Sequence, residues 1–307
     1  RGVAITDIIR AARKIMLEFQ YERAPPSLRS AMGSLSSEGN PWGSERSRRA
    51  LWAEGLGIQP YSPDQHEVLY FPCCVPAYDP KLGSVALATA TLLRSTGASF
   101  GILGEKESCC GESVRKAGHE SLFESLRKSN LAAFKEKEIK EIIVTSPHCL
   151  TTFKQEYPGL DGETKVIHLT QYLADLVEKG KLPLNKSLHK RIVYHDPCYL
   201  GRHNGIYGEP RRVLGSIPGV TLMDEVECRE NSLCCGGGGG RIWMETVKGQ
   251  RFSDILVEQA VEMGAGILVT ACPYCLLNFK DSVVTSDKAD VLQVKDISEV
   301  VLEAMGD

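Results

Sequence analysis

A chain of 307 residues is long enough for two domains that each bury a core. Its 42% hydrophobic and 24% charged residues are those of a globular protein. With 36 basic against 39 acidic side chains, a net charge of −3 and no basic run longer than RSRR (46–49), no nucleic-acid partner is expected. The longest apolar runs, GSVALATATLL (83–93) and GILVTACPYCLL (266–277), fall short of the roughly 18–20 residues of a spanning helix. No direct membrane span is therefore expected, and membrane contact would go through another subunit. No secretion signal opens the chain and position 1 is not methionine, so the numbering is expected to start inside a longer polypeptide.

In chain order, the first segment, RGVAITDIIRAARKIMLEF (1–19), has helical spacing and is expected to pack an apolar face on the core. From residue 68, short β-branched or aromatic runs alternate with longer helix-period stretches. The strands expected are VLYF (68–71), FGIL (100–103), IIVT (142–145) and KVIHL (165–169), with ESLFESLRKSNLAAF (120–134) among the helices. Beyond residue 187 the pattern returns as RIVYH, VTLM, GILVT and VLQV. Such alternation predicts an α/β fold with parallel sheets covered on both faces. Ligands of such sheets sit at the carboxyl ends of the strands.

The recurrence is an internal duplication. A shift of 125 places Pro72-Cys73 on Pro197-Cys198 and Cys109-Cys110-Gly111 on Cys234-Cys235-Gly236. One further residue of shift aligns IIVTSPHCLTTFK (142–154) with LVTACPYCLLNFK (268–280), and the same shift carries TQYLADLVEKG (170–180) onto DISEVVLEAMG (296–306). Each copy thus spells a lone cysteine, a CCG triplet and a [S/C]PxC element, placed after strands one, two and three. The eleven cysteines are an odd number in a chain far longer than disulfide-stapled miniproteins, which argues for thiolates kept reduced for metal. Zinc takes four ligands, commonly as two spaced CxxC hooks, and matches an adjacent pair plus three more poorly. An iron–sulfur cluster tolerates the spacing better, and Cys272-Pro273-Tyr274-Cys275 alone would also suit a redox dithiol.

The pattern C-x35-CCG with PxC and one repeat resembles the cysteine-rich CCG domain of heterodisulfide reductase catalytic subunits and their relatives, over residues 66 to 307. The resemblance implies two duplicated Rossmann-like parallel-sheet domains, 66–186 and 187–307, behind a helical linker at 1–65. It also implies a non-cubane 4Fe-4S cluster held by five cysteines. Carried over, the second copy is complete, with Cys198, Cys234, Cys235, Cys272 and Cys275. The first has Cys73, Cys109, Cys110 and Cys149 but Ser146 where the pattern has a cysteine, so its second iron–sulfur cluster is an open question. Cys74 is either a spare ligand, its side chain expected to point away from that of Cys73, or a small buried residue. Cys228 has no counterpart and is expected to be structural.

The stretch NPWGSERSRRALW (40–52) and the helix before it look like the linker that follows a ferredoxin module in the family's larger members. Ferredoxin-type, flavin or membrane quinone-reactive subunits are accordingly the expected partners, with a small thiol or disulfide as substrate. The place implied is cytoplasmic, including the cytoplasmic membrane face reached through a partner. An electron conduit without disulfide chemistry is the alternative.

Candidates beyond the thiols are His195 and Asp196 for proton delivery, with a strand-end cap as the plain alternative, and Arg241 for an anionic substrate or for cluster charge. His148 is either a nitrogen ligand of the first site or a satisfied loop histidine. The run Cys234-Cys235-Gly236-Gly237-Gly238-Gly239-Gly240-Arg241 is followed by neither the Lys-Ser/Thr of a phosphate loop nor a dinucleotide fingerprint. Gly236, Gly237 and Gly238 are expected to let the backbone approach a cluster at the mouth of a following helix.

Overall fold

The computed structural model describes residues 3–160, 162, 164–247 and 251–306. Two four-stranded, wholly parallel sheets repeat one topology. In the first, β1 (Val68–Phe71), β2 (Phe100–Gly101), β3 (Glu141–Val144) and β4 (Lys165–His168) run in the order β2-β1-β3-β4. In the second, β5 (Arg191–Tyr194), β6 (Thr221–Asp224), β7 (Ile267–Thr270) and β8 (Gln293–Asp296) run β6-β5-β7-β8. The central strands are buried along nearly their whole length, as a sheet covered on both faces requires. In each sheet the strand order turns between the first and third strands, and there the carboxyl ends open a crevice. The lone cysteine follows the first strand and the PxC element the third, so this topology alone brings distant thiols together.

The two halves are joined through helices. The helix Gly83–Ser95 packs on Ile297–Met305, and Leu169–Glu178 packs on Gly208–Gly215. The final helices of the two copies both start at capping boxes, on His168 with Gln171 and on Asp296 with Glu299. These N-caps are 128 positions apart, so the shift of 126 expected from the sequence slips by two residues before this helix.

Two further expectations are corrected. The helix Ile5–Gln20 buries none of its residues: Ile5, Ile8, Ile9, Ile15 and Phe19 are exposed. Leu17 is partly buried against the core, and the helix is held further by its arginines, with Arg10 on Glu156 at 3.1 Å and Arg13 Nη1 donating to the carbonyls of Lys116 and Gly239, both at 3.0 Å. Beyond the glycine run the described residues form a short 3-10 turn, Arg241–Trp243, rather than the helix expected, and among the described residues the next helix starts at Phe252. In the first copy, by contrast, Gly111 (φ +83°) leads directly into the helix Glu112–Ala117.

Candidate thiol sites

In the second copy, Cys198 and Cys234 are partly exposed, while Cys235, Cys272 and Cys275 are buried. Cys198 Sγ is 3.9 Å from Cys234 Sγ, and Cys234, Cys235, Cys275 and Cys272 continue as a string of neighbouring thiols. All eleven cysteines of the chain are free thiols. The loop is fixed by the Gly236 N–H donating to Cys234 Sγ at 3.3 Å and by Asn278 Nδ2 donating to the Cys235 carbonyl at 3.1 Å. Gly236 (φ +88°) has a backbone that L side chains rarely adopt, and a Cβ on Gly237 would press on Asn278 Nδ2 at 3.0 Å. Hydrogen bonds from Cys198 and Cys235 hold Cys234 well below the ordinary thiol range.

His195 lies beside this string. Its Nδ1 is 2.9 Å from Glu225 Oε1, and its ring sits with Cys235 and Cys275 in a group whose ligand atoms lie within 4.8 Å of one another. Nε2 is buried with no hydrogen-bond partner among the described residues. A buried polar atom without a partner is costly, and here its ring groups with Cys235 and Cys275 of the thiol string, a donor set that suits an iron–sulfur cluster. Burial opposes a proton on His195, but Glu225 outweighs it and raises the ring above its ordinary value. Glu225 follows the edge strand β6 and carries no sequence signal.

Of the two readings of Asp196, its contacts are those of the plain alternative, a cap at the strand end. Arg211 grips its oxygens at 2.8 and 2.6 Å, and the Arg229 N–H adds a bond at 2.7 Å, making it a buried clamp on the loop before Cys234. Arg241 bonds Thr246 Oγ1 at 2.9 Å on the wall of a cavity of about 1220 Å3 that opens on Cys198, Cys234 and Cys235. Phe252, Leu277, Val283 and Val284 supply an apolar side to this cavity, and Lys81 and Lys280 add positive charge. Cys228 stands apart, half-buried before a 3-10 turn.

The first copy gathers Cys73, Cys74, Cys109, Cys110 and Cys149, all buried. Cys149 Sγ is 3.4 Å from Cys110 Sγ. Asn130 Nδ2 and Tyr157 Oη donate to the carbonyls of Cys109 (3.1 Å) and Cys110 (3.0 Å), and the Gly111 N–H donates to Cys109 Sγ at 3.4 Å. Ser146 Oγ is buried and has no partner among the described residues. The strand ends before Cys73, which caps the helix Cys74–Tyr78, so the alternation expected of Cys73 and Cys74 does not apply.

His148 belongs to neither expected role. It reaches out of the first copy into the second: Nδ1 is 3.3 Å from Glu112 Oε2, the ring stacks on Tyr199 at 3.9 Å, and the imidazole bonds Cys272. Burial alone would lower its pKa, but Glu112 and Cys272 push it up to about 10. Tyr274, at the matching place in the second copy, reaches back to Ser113 Oγ at 3.0 Å, and Tyr199 Oη donates to Glu112 Oε1 at 2.5 Å. The residue between proline and cysteine in each motif thus crosses to the other copy, and Glu112 ties the two together. Sequence spacing marks these positions as variable and gives no sign of the exchange.

Fold and site together define a duplicated α/β protein built around two pockets of reduced cysteines. The chain belongs to the cysteine-rich domain family designated CCG, whose model matches residues 68–154 and 192–280. It is 36% identical over 283 residues to "Probable iron-sulfur-binding oxidoreductase FadF" of Bacillus subtilis, covering 90% of this chain and 40% of that protein. It is also 36% identical to EtfAB:quinone oxidoreductase of Syntrophomonas wolfei, covering 92% of this chain and 41% of that one. One of the subunits of the dihydromethanophenazine:CoB–CoM heterodisulfide reductase of Methanosarcina barkeri is 34% identical, over 87% of this chain and 65% of its own length. The chain therefore spans about two fifths of the first two relatives. None of its described helices is long and apolar enough to cross a membrane.

Proposed function

We propose that this chain is the iron–sulfur electron-transfer part of an oxidoreductase, with Cys198, Cys234, Cys235, Cys272 and Cys275 holding a 4Fe-4S cluster of the non-cubane type. The observation that carries the proposal is the string of five free thiols at the strand ends, beside the unpartnered Nε2 of His195. When bound, such a cluster supplies one-electron chemistry and an iron able to take a substrate sulfur. The chain's own residues hold and shape the site. Asp196 and Arg211 clamp its loop, Glu225 orients His195, the Gly236 amide bonds Cys234, and the cavity with Arg241, Lys81 and Lys280 on its wall admits a small anionic thiol or disulfide. Reduction of that disulfide takes two electrons and two protons and releases two thiols, and the electrons come from a ferredoxin-type, flavin or quinone-reactive partner. The protein divides on this reading into a linker at 1–65 and two domains at 66–186 and 187–307, working in the cytoplasm, including at the membrane face through its partner.

A second reading, an electron conduit without disulfide chemistry, is favoured by the 36% identity to EtfAB:quinone oxidoreductase. Anaerobically purified protein titrated with small thiols separates the two. The disulfide reading expects the low-temperature EPR spectrum to change on thiol addition; an unchanged spectrum, with reduction by partner proteins intact, supports the conduit.

A further inference from the structure

The first copy lacks a cysteine at Ser146 yet still brings five thiols together, and the order in which they touch is informative. In the second copy the string runs from Cys198 to Cys234 at 3.9 Å, then through Cys235 and Cys275 to Cys272. In the first it runs from Cys74 to Cys109, then through Cys110 and Cys149, 3.4 Å apart, to Cys73. The three middle members correspond by position. At the ends, Cys74 touches the first cysteine of the pair as Cys198 does, and Cys73 touches the PxC cysteine as Cys272 does.

The backbone shows how the exchange is made. Cys73 is a non-glycine residue at φ +73° and ψ +156°, a strained conformation that survives where surrounding structure enforces it. Its counterpart Cys198 is not among the positive-φ residues. This turn starts the helix Cys74–Tyr78 one residue after Cys73 and sends both thiols into the site. At the other end Arg49 Nη1, fully buried and paired with Glu107, donates to Cys74 Sγ at 3.5 Å, a donor suited to a thiolate. Ser146 Oγ, buried without a partner, occupies the place of the lost cysteine. In the second copy the position matching Cys74 is Tyr199, so no such substitution is available there.

We infer that the first copy holds an iron–sulfur cluster of its own on five cysteines, in which Cys74 replaces Cys198 and Cys73 replaces Cys272. The inference rests on the cluster reading of the second copy, so its test separates the two. Iron and acid-labile sulfide are counted per chain after anaerobic reconstitution of the full chain, with low-temperature EPR, for wild type, Cys74→Ala, Cys74→Ser and Ser146→Ala. Wild type and Ser146→Ala are expected to load about eight irons, two four-iron clusters. Both Cys74 variants are expected to load half as much while the second copy's EPR signal is kept; Cys74→Ser, which keeps the volume and a polar partner for Arg49, guards against a packing defect. Wild type loading only about four irons with that signal intact, zinc in the first site, or a Cys74→Ser variant that still loads like wild type would each overturn the inference alone. No iron in any sample removes both readings.

Discussion

The two copies share strands, topology and five gathered thiols, and they differ in access. In the first, the cysteine pair runs through Gly111 into a buried helix, and every thiol is buried. In the second, the pair runs into five glycines and a 3-10 turn, leaving Cys198 and Cys234 partly exposed beside a cavity of about 1220 Å3. One duplicated scaffold thus gives a closed site and an open one, and the loop after the cysteine pair is one place where they part. Under the proposed function, a small molecule would meet the open copy, and the two copies touch through His148 on Cys272 and Tyr274 on Ser113.

The largest test makes the second copy resemble the first. Cys272→Ser recreates the serine of the first motif where Tyr199 stands in place of Cys74, so the second site is expected to lose all its iron, read by metal analysis. Next comes the buried Arg49–Glu107 pair beside Cys74. Removing one partner, as in Arg49→Met, leaves a buried charge alone and should cost about 3–5 kcal/mol in denaturant unfolding. Glu107→Gln should cost a similar amount.

The equivalent helix caps should respond to pH in opposite senses. Burial pushes His168 down from 6.5 to about 4 and Asp296 up from 3.8 to about 7. Below pH 6.5 the unfolded chain takes up a proton that buried His168 refuses, so the stability it contributes above that pH is lost as the pH falls through 4. The contribution of Asp296 is full below pH 3.8 and is lost as the pH rises through 7. These amount to roughly 3 kcal/mol for His168 and roughly 4 kcal/mol for Asp296. In Tm measured from pH 4 to 8, His168→Asn should flatten the acid side and Asp296→Asn the other. The smallest test is in the glycines. Gly111→Ala, at φ +83° with Phe123 Cδ2 at 2.8 Å from the added Cβ, should cost about 1–2 kcal/mol or more. Gly238→Ala, whose nearest neighbour is Tyr199 at 3.7 Å, should stay within about 0.5 kcal/mol.

The sheets were legible in the sequence because a strand covered on both faces must be a short apolar run, and VLYF at 68–71 is strand throughout. The thiol sets were legible because duplication repeats their spacing. What escaped depends on contacts between distant segments. Glu225 reaches His195 from just beyond an edge strand, His148 faces the other copy's Cys272, and the first helix is held by Arg10 and Arg13 with most of its apolar residues exposed. Alternation along an extended strand also misjudged Cys74, because one positive φ at Cys73 ends that geometry.

The central claim is that these thiols hold iron and sulfide. Iron, sulfide and zinc analysis with low-temperature EPR on anaerobically purified protein tests it most directly. The account predicts a brown protein with iron and sulfide in equal amounts and a paramagnetic cluster signal on oxidation or reduction; a colourless protein with stoichiometric zinc and no iron would contradict it.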